Sequence, residues 1–324
     1  MTILSLPAFS RTAPSFQTFS LMPNTASFTS PLNGTVQTSE LPGARWVSTF
    51  GWNGLTDLDV RILKAWLNKL SGRAGRFYLT DHTHKIPSGT AQGSPVVNGA
   101  SQTGRTLVTS GWTPNQTALL LPGDYFSVGS QLCVITETAA SDGSGNATLT
   151  FEPPLRSSPA SRTLSSELLT NGSFATDTAW SNQGGWVISG GVASCDGTTA
   201  NSAIYQAATI AAGLKYEITY TIVSVTSGTG FVARIGGVSG TTRNAPGTYT
   251  EVITATTSNG GVRSLNNTVG SIDNVSIKQV LVESDVLITS SPKCIMMLED
   301  DKQDNFPFQE KNNSSVTIKC LEMF

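Results

Sequence analysis

The chain has 324 residues, enough for about two domains, each with its own core. Charged residues make up only 13%, the formal net charge is −2 and no Lys/Arg cluster occurs, which argues against electrostatic capture of nucleic acid. No apolar run approaches the ~20 residues of a membrane-spanning helix, and "MTILSLPAFSRTAPSF" lacks the basic start and apolar stretch of a signal peptide, so synthesis and folding in a cytoplasm is the expectation.

Gly, Ser, Thr and Asn fill the space that charges leave, and β-branched residues are frequent. That composition points to a mainly β protein with many turns. In chain order, residues 1–45 read as extended, with β-pairing around "TASFTSPLNGTVQTSE". Asn33–Gly34 is a hairpin signal, and Pro31 before it loosens the turn. "RWVSTFGW" reads as a strand. The spacing then predicts one α-helix, at about 56–71. Thr56 is its N-cap and Asp59, three residues on, completes a variant capping box. Leu58, Ile62, Ala65, Trp66 and Leu70 form its apolar stripe, and Gly72 is the left-handed stop. "GRFYLTD" follows as a strand packing beneath it.

Further on, Leu119–Leu121, Tyr125–Val128, Leu132–Thr138 and Ala147–Phe151 read as four short strands between tight turns. They predict a small β-barrel-like part over about 106–160. From "LLTNGSFATDTAWSNQGGW" onward the texture changes, and seven or eight strands up to "IDNVSIKQV" read as a β-sandwich. The chain closes with the strands "CIMML" and "SVTIKCLEMF", too few to bury a core alone. The expected organisation is therefore a discontinuous domain, residues 1–163 plus 284–324, interrupted by an inserted β-sandwich at 166–282, with "RSSPASRTLSSE" as the exposed loop that admits it.

Three stretches, "WNGLTDLDVRILKAWLNKLSGRAGRFYL", "LLPGDYFSVGSQLCVITETAASDGSGNATLTFEPPLR" and "SVTIKCLEMF", resemble the distal tail and minor tail proteins of long-tailed bacteriophages. The resemblance implies a structural virion protein, a homo-oligomer in a hexameric ring at the tail tip. Its partners would be the tail tube and other tail-tip proteins, after assembly in the host cytoplasm. The inserted segment, through "LLTNGSF", "GLKYEITYTI", "GTYTEVITA" and "GSIDNVSIKQV", resembles a carbohydrate-binding module of the jelly-roll kind. Adhesion to a host-surface glycan is the implied role, and some such modules hold a structural calcium, for which Asp273 would be a ligand; no other cofactor is implied.

Trp180, Trp186 and Tyr205 are the candidate sugar platforms, because aromatic faces stack on pyranoses. A core position is the competing reading for each. Arg234 and Arg263 are candidate donors to sugar hydroxyls, against ordinary surface charge, and Asp273 against a turn-forming Asp–Asn pair. His82 and His84 are too few to hold a metal in one chain. The carboxylates Asp57/Asp59 fit a helix start and Glu299/Asp300/Asp301 a solvated loop. The four cysteines, Cys133, Cys195, Cys294 and Cys320, are widely spaced and read as small buried hydrophobes. No Gly-x-Ser-x-Gly elbow, P-loop or His-Glu-x-x-His motif is present, so the chain does not read as an enzyme. Two other functions stay open: an insert that is only a spacer or protein-docking module, and an enzyme that degrades surface polysaccharide.

Overall fold

In Ser314–Glu322 every second side chain is apolar and turned inward: Val316, Ile318 and Cys320 are all buried. This strand lies in the interior of a five-stranded sheet, antiparallel to Arg45–Leu55 on one side and to Cys294–Leu298 on the other. Phe16–Met22 forms one edge beside Arg45–Leu55, and Phe77–Leu79 forms the other beside Cys294–Leu298. These contacts come from a computed structural model that describes residues 2–8, 13–301 and 314–323. The stretch 302–313, which includes most of the polar loop expected after Glu299, lies outside the described residues.

One helix, Asp57–Leu70, covers this sheet. Its capping box is complete: Asp59 N–H donates to Thr56 Oγ1 and Thr56 N–H donates to the Asp59 carboxylate. The buried stripe is Leu63, Trp66, Leu67 and Leu70: Trp66 and Leu70 are as expected, and Leu63 and Leu67 stand in place of the expected Ile62 and Ala65. Leu58 and Ala65 are exposed, because the inward face, set by Phe77 and the sheet beneath, falls about one residue later. The left-handed stop falls first on Ser71 (φ 55°) and continues through Gly72 (φ 63°). Trp66 packs edge-on to Phe77 at 5.2 Å and donates its indole N–H to Ser5 O. Gly51 explains how closely the central strands approach: an added Cβ would meet Val316 O at 2.0 Å.

A second sheet runs Leu287–Ile288, Tyr125–Val128, Gln131–Ile135, Ala147–Leu155, Gly104–Trp112 and Gly93–Val97. Val286 bridges back to Val96, and Val97 N–H donates to Asp285 O, so the sheet nearly closes on itself. Phe126, Phe151, Leu149, Trp112 and Leu287 fill it. This barrel-like part reaches further than the expected 106–160. It begins at Gly93 and takes a strand from the chain that returns at 284. Leu119–Leu121 is not a strand; Leu120 makes a single bridge to Ala139 within a loop tied by Asp124.

The chain divides into two compact units: Met1–Ser161 with Ser284–Phe324, and Arg162–Glu283. In the second unit one sheet runs Trp186–Ser189, Val192–Asp196, Val269–Val282, Lys215–Ser227 and Gly247–Thr254, with Thr163–Leu164 paired to Val269–Val282. The other runs Ser181–Asn182, Ala203–Gln206, Gly260–Leu265, Gly230–Ile235 and Val238–Ser239. Their inner faces share one core of Tyr216, Ile218, Tyr220, Ile222, Phe231, Ile272 and Ile277, which makes this unit a β-sandwich. Both units are mainly β, as composition predicts.

The first unit closes its own gap. Ala160 N–H donates to the Asp285 carboxylate at 2.8 Å, and Asp285 N–H donates to Ala160 O at 2.8 Å. Replacing residues 162–283 by a short Gly/Ser linker is therefore expected to leave the first unit folded, measured as one cooperative unfolding transition with a native β-type circular dichroism spectrum.

All four cysteines are buried and unpaired. Burial pushes each thiol up, Cys195 to about 11 and Cys133, Cys294 and Cys320 well above the ordinary thiol value. The native protein is expected to resist thiol-alkylating reagents at pH 8 and to take up four equivalents once unfolded in guanidinium, counted by mass spectrometry.

Candidate functional site

The outer face of the smaller sandwich sheet carries a concavity. Tyr205 and Gly261 are cross-strand partners, and Gly261 and Arg234 are partners on its other side. The three form one row across the strands Ala203–Gln206, Gly260–Leu265 and Gly230–Ile235, all pointing the same way. Two strand spacings put Tyr205 and Arg234 about 10 Å apart, with a bare backbone floor between them. Nothing larger than glycine fits at Gly261: an added Cβ would lie 2.1 Å from Ile204 O and 2.7 Å from Tyr205 Cα. Gly260 points inward, where a Cβ would strike the Ile277 side chain at 2.4 Å.

Loops complete the walls. Gln183 enters from one side and Thr257, Ser258 and Asn259 from the other, around a groove of about 250 Å³. Gln183 accepts from Ala203 N–H through its carbonyl oxygen. Asn259 holds a left-handed conformation (φ 79°) and its main-chain carbonyl accepts from Gly236 N–H. Among the described residues the Tyr205 hydroxyl and the Arg234 guanidinium have no hydrogen-bond or ionic partner. Both residues are partly buried. The groove thus offers a ring face, a planar cation and amide groups, a set suited to a polar ligand with an apolar ring side.

The other expected platform residues lie elsewhere. Trp186 is 5% exposed and packs tilted against Phe231 at 5.8 Å in the sandwich core, leaving no ring face to a ligand. It is the first residue of a strand whose alternate positions, Trp186 and Ile188, face inward. Trp180 packs on Phe174 at 4.9 Å and donates its indole N–H to Asn171 O, closing the core's rim. Arg263 shares the outer face of the smaller sheet, two residues along from Gly261, but its Nε–H donates to Asn201 O at 2.9 Å. It flanks the groove and does not line it.

Asp273 sits on the larger sheet at a bulge, where Asn274 is left-handed (φ 52°). Its carboxylate accepts from the main-chain N–H and the side-chain amide of Asn274. No cluster of three or more His, Cys, Asp or Glu side chains suited to a metal ion occurs among the described residues.

His82 and His84 belong to a turn in the first unit and face different partners. The His82 ring contacts Gln17 Oε1 and Thr80 O. Burial, then the Lys85 charge, pushes its imidazole below the usual range. His84 Nδ1 lies 2.9 Å from Asp81 Oδ2 and 2.8 Å from Thr83 Oγ1. Burial raises Asp81, but hydrogen bonds from Thr83 and His84 outweigh it and hold the carboxyl below the ordinary value. Carboxylate and hydroxyl meet the same ring nitrogen, whereas a nucleophilic relay needs them on opposite ones. Of the acidic loop, Asp301 is occupied: its Oδ1 accepts Arg73 N–H at 2.8 Å beside Gly72.

Residue type alone singles out Tyr205 and Arg234, whereas Gln183, Asn259 and the glycine floor carry no motif. The two aromatic roles are separable by stability. Trp186→Ala is expected to cost about 3–5 kcal/mol and Tyr205→Ala about 1 kcal/mol or less, read from urea unfolding midpoints of the second unit.

No family model matches the sequence, and no curated protein matches it. Among solved structures, the secreted serine protease VesC from Vibrio cholerae aligns at 10% identity with a TM-score of 0.21, over 81% of this chain and 63% of that chain. The chain thus spans a little under two thirds of that protein, and a likeness this low carries no argument about fold or activity. No helix among the described residues is long and apolar enough to cross a membrane.

Proposed function

We propose that the protein is a structural subunit of the tail tip of a long-tailed bacteriophage, that copies of it close into a ring between tail tube and tip, and that the inserted sandwich presents a glycan-binding groove to the host surface. The reading rests on the resemblance of the first and last segments to distal tail proteins, and one structural observation carries the assembly half of it. Between Phe16–Met22 and Arg45–Leu55, which pair in the sheet, the chain leaves as a two-stranded ribbon of Thr25–Thr29 and Val36–Glu40, tied at its base by the ion pair of Glu40 with Arg105. Every residue of both strands is exposed. Phe28 (63% exposed) and Val36 (60%) fall on opposite faces, opposite Gln37 and Thr29 respectively, and Leu32 at the tip is 96% exposed.

An isolated two-stranded ribbon is marginal in water, and its two unpaired edges and two apolar faces call for a partner. In a ring, each copy's ribbon lies against the next copy, so every ribbon is covered and the assembly closes. Six grooves on one ring would add avidity of roughly 10²–10⁴-fold over a single site, which suits a first, reversible contact with a cell surface. This reading assigns the protein no reaction.

The assembly half is tested by native mass spectrometry and negative-stain microscopy of the purified protein. Closed rings are expected from the wild type. The Phe28→Ser/Val36→Ser double variant is expected to give folded monomers with an unchanged unfolding midpoint, because both side chains lie in water in the single chain. A wild type that stays monomeric at high micromolar concentration would overturn the reading.

A further inference from the structure

The groove on the smaller sandwich sheet has a charge pattern that narrows its ligand. Arg234 is the single charged side chain among the residues that line it, and no Asp or Glu joins it there. Arg234 is partly buried as a residue, and covering a cation without compensation is unfavourable. Proteins normally offset this with a carboxylate, as Arg162 does with Glu217 and Arg156 with Glu322 in this same chain. Arg234 has no such partner among the described residues. The missing counter-charge is a feature of the site that a ligand would supply.

From this we infer that the groove takes an acidic sugar: a pyranose whose carboxylate is held by Arg234 while one ring face lies on Tyr205. The inference rests on the glycan-binding reading given above and specifies its ligand. The planar guanidinium matches a carboxylate by two parallel hydrogen bonds. A carboxylate carries one negative charge, which one arginine neutralises, whereas a phosphate monoester carries about −1.5 to −2 near pH 7 and would leave excess charge beside a single cation. The span of about 10 Å between the two walls, over the bare Gly261 floor, leaves room for one sugar ring lying between them. Gln183 and Asn259, at the rim, are placed to meet ring hydroxyls. A groove of about 250 Å³ is smaller than the ~300 Å³ at which drug-sized pockets begin, in keeping with recognition of a single residue of a longer chain.

The test uses the full-length protein on an array of uronate-bearing, sialate-bearing, phosphorylated and neutral oligosaccharides, with methyl esters of the carboxylated members printed beside them. Carboxylated glycans are expected to bind. Esterification, which removes the charge and keeps the ring, is expected to weaken binding about tenfold to hundredfold, the range of a charge-assisted hydrogen bond. Arg234→Gln is expected to produce the same loss on the carboxylated glycans and to leave the unfolding midpoint unchanged, while Arg263→Gln changes binding less than threefold. If neutral or esterified glycans bind as tightly as acidic ones and Arg234→Gln does not matter, the acidic-sugar inference is overturned and the glycan-binding reading stands. Preference for the phosphorylated members also overturns it. If no glycan on the array binds at all, both readings fall together.

Discussion

The carboxylate of Glu322 is the point on which the first unit depends. It is almost completely buried, and two distant stretches of chain converge on it. Trp46 N–H donates to Oε2 at 3.0 Å, and the Arg156 guanidinium grips both oxygens at 2.8 and 2.5 Å. Arg156 also donates to Ala44 O, so the same cation serves the start of the strand Arg45–Leu55. An ion pair this deep contributes little net stability, because desolvation offsets its Coulombic gain. Its effect is positional: a carboxylate left there alone would be strongly unfavourable, so only the arrangement that brings residues 44–46, 156 and 322 together is tolerated. That single condition joins the first strands, the barrel's exit and the closing strand in one register.

The reciprocal pair of hydrogen bonds between Ala160 and Asp285 does for the interruption what Glu322 does for the sheet. It brings the outgoing and returning chain side by side at an edge of the barrel-like part. The sandwich is equally self-contained at its own ends. Thr163 pairs with Val282, and the Glu167 carboxylate accepts from Ile277 N–H and the Ser276 hydroxyl, fastening the incoming chain to the outgoing strand. Each unit thus satisfies its boundary with its own hydrogen bonds, the property expected of an inserted domain whose termini lie together.

Much of this fold was legible in the residues. The capping box at Thr56 and Asp59, the alternation of Tyr216–Val225 and the inadequacy of two final strands as a core each point to the observed elements. What could not be read depended on partners far away in sequence. Leu58 looks like a stripe residue from its spacing, but the inward face is set by Phe77 and the sheet beneath, and it stays in water. Leu119–Leu121 has a strand's composition, yet the Asp124 carboxylate draws Leu121, Ser88 and Gly89 N–H into a loop.

The groove was legible only in part for a related reason. Tyr205 and Arg234 are 29 positions apart, and what makes them neighbours is Gly261, which has no chemistry of its own. A concavity on a sheet is made by the residue that leaves space, and a missing side chain sends no signal in a one-dimensional pattern. Trp186 sends a strong signal and lies in the core, because a large aromatic at a strand start is worth more buried than displayed.

The interior position of Ser314–Glu322 also sets an order of events during translation. Its sheet cannot be completed until that strand has left the ribosome, and by then the whole of Arg162–Glu283 has been synthesised. The sandwich, whose strands are contiguous in the chain, is free to fold while the earlier segment waits with its strands Arg45–Leu55 and Phe77–Leu79 unjoined. A slow-folding passenger would prolong that exposed interval for the nascent chain, so the interruption favours a cargo that folds quickly and alone.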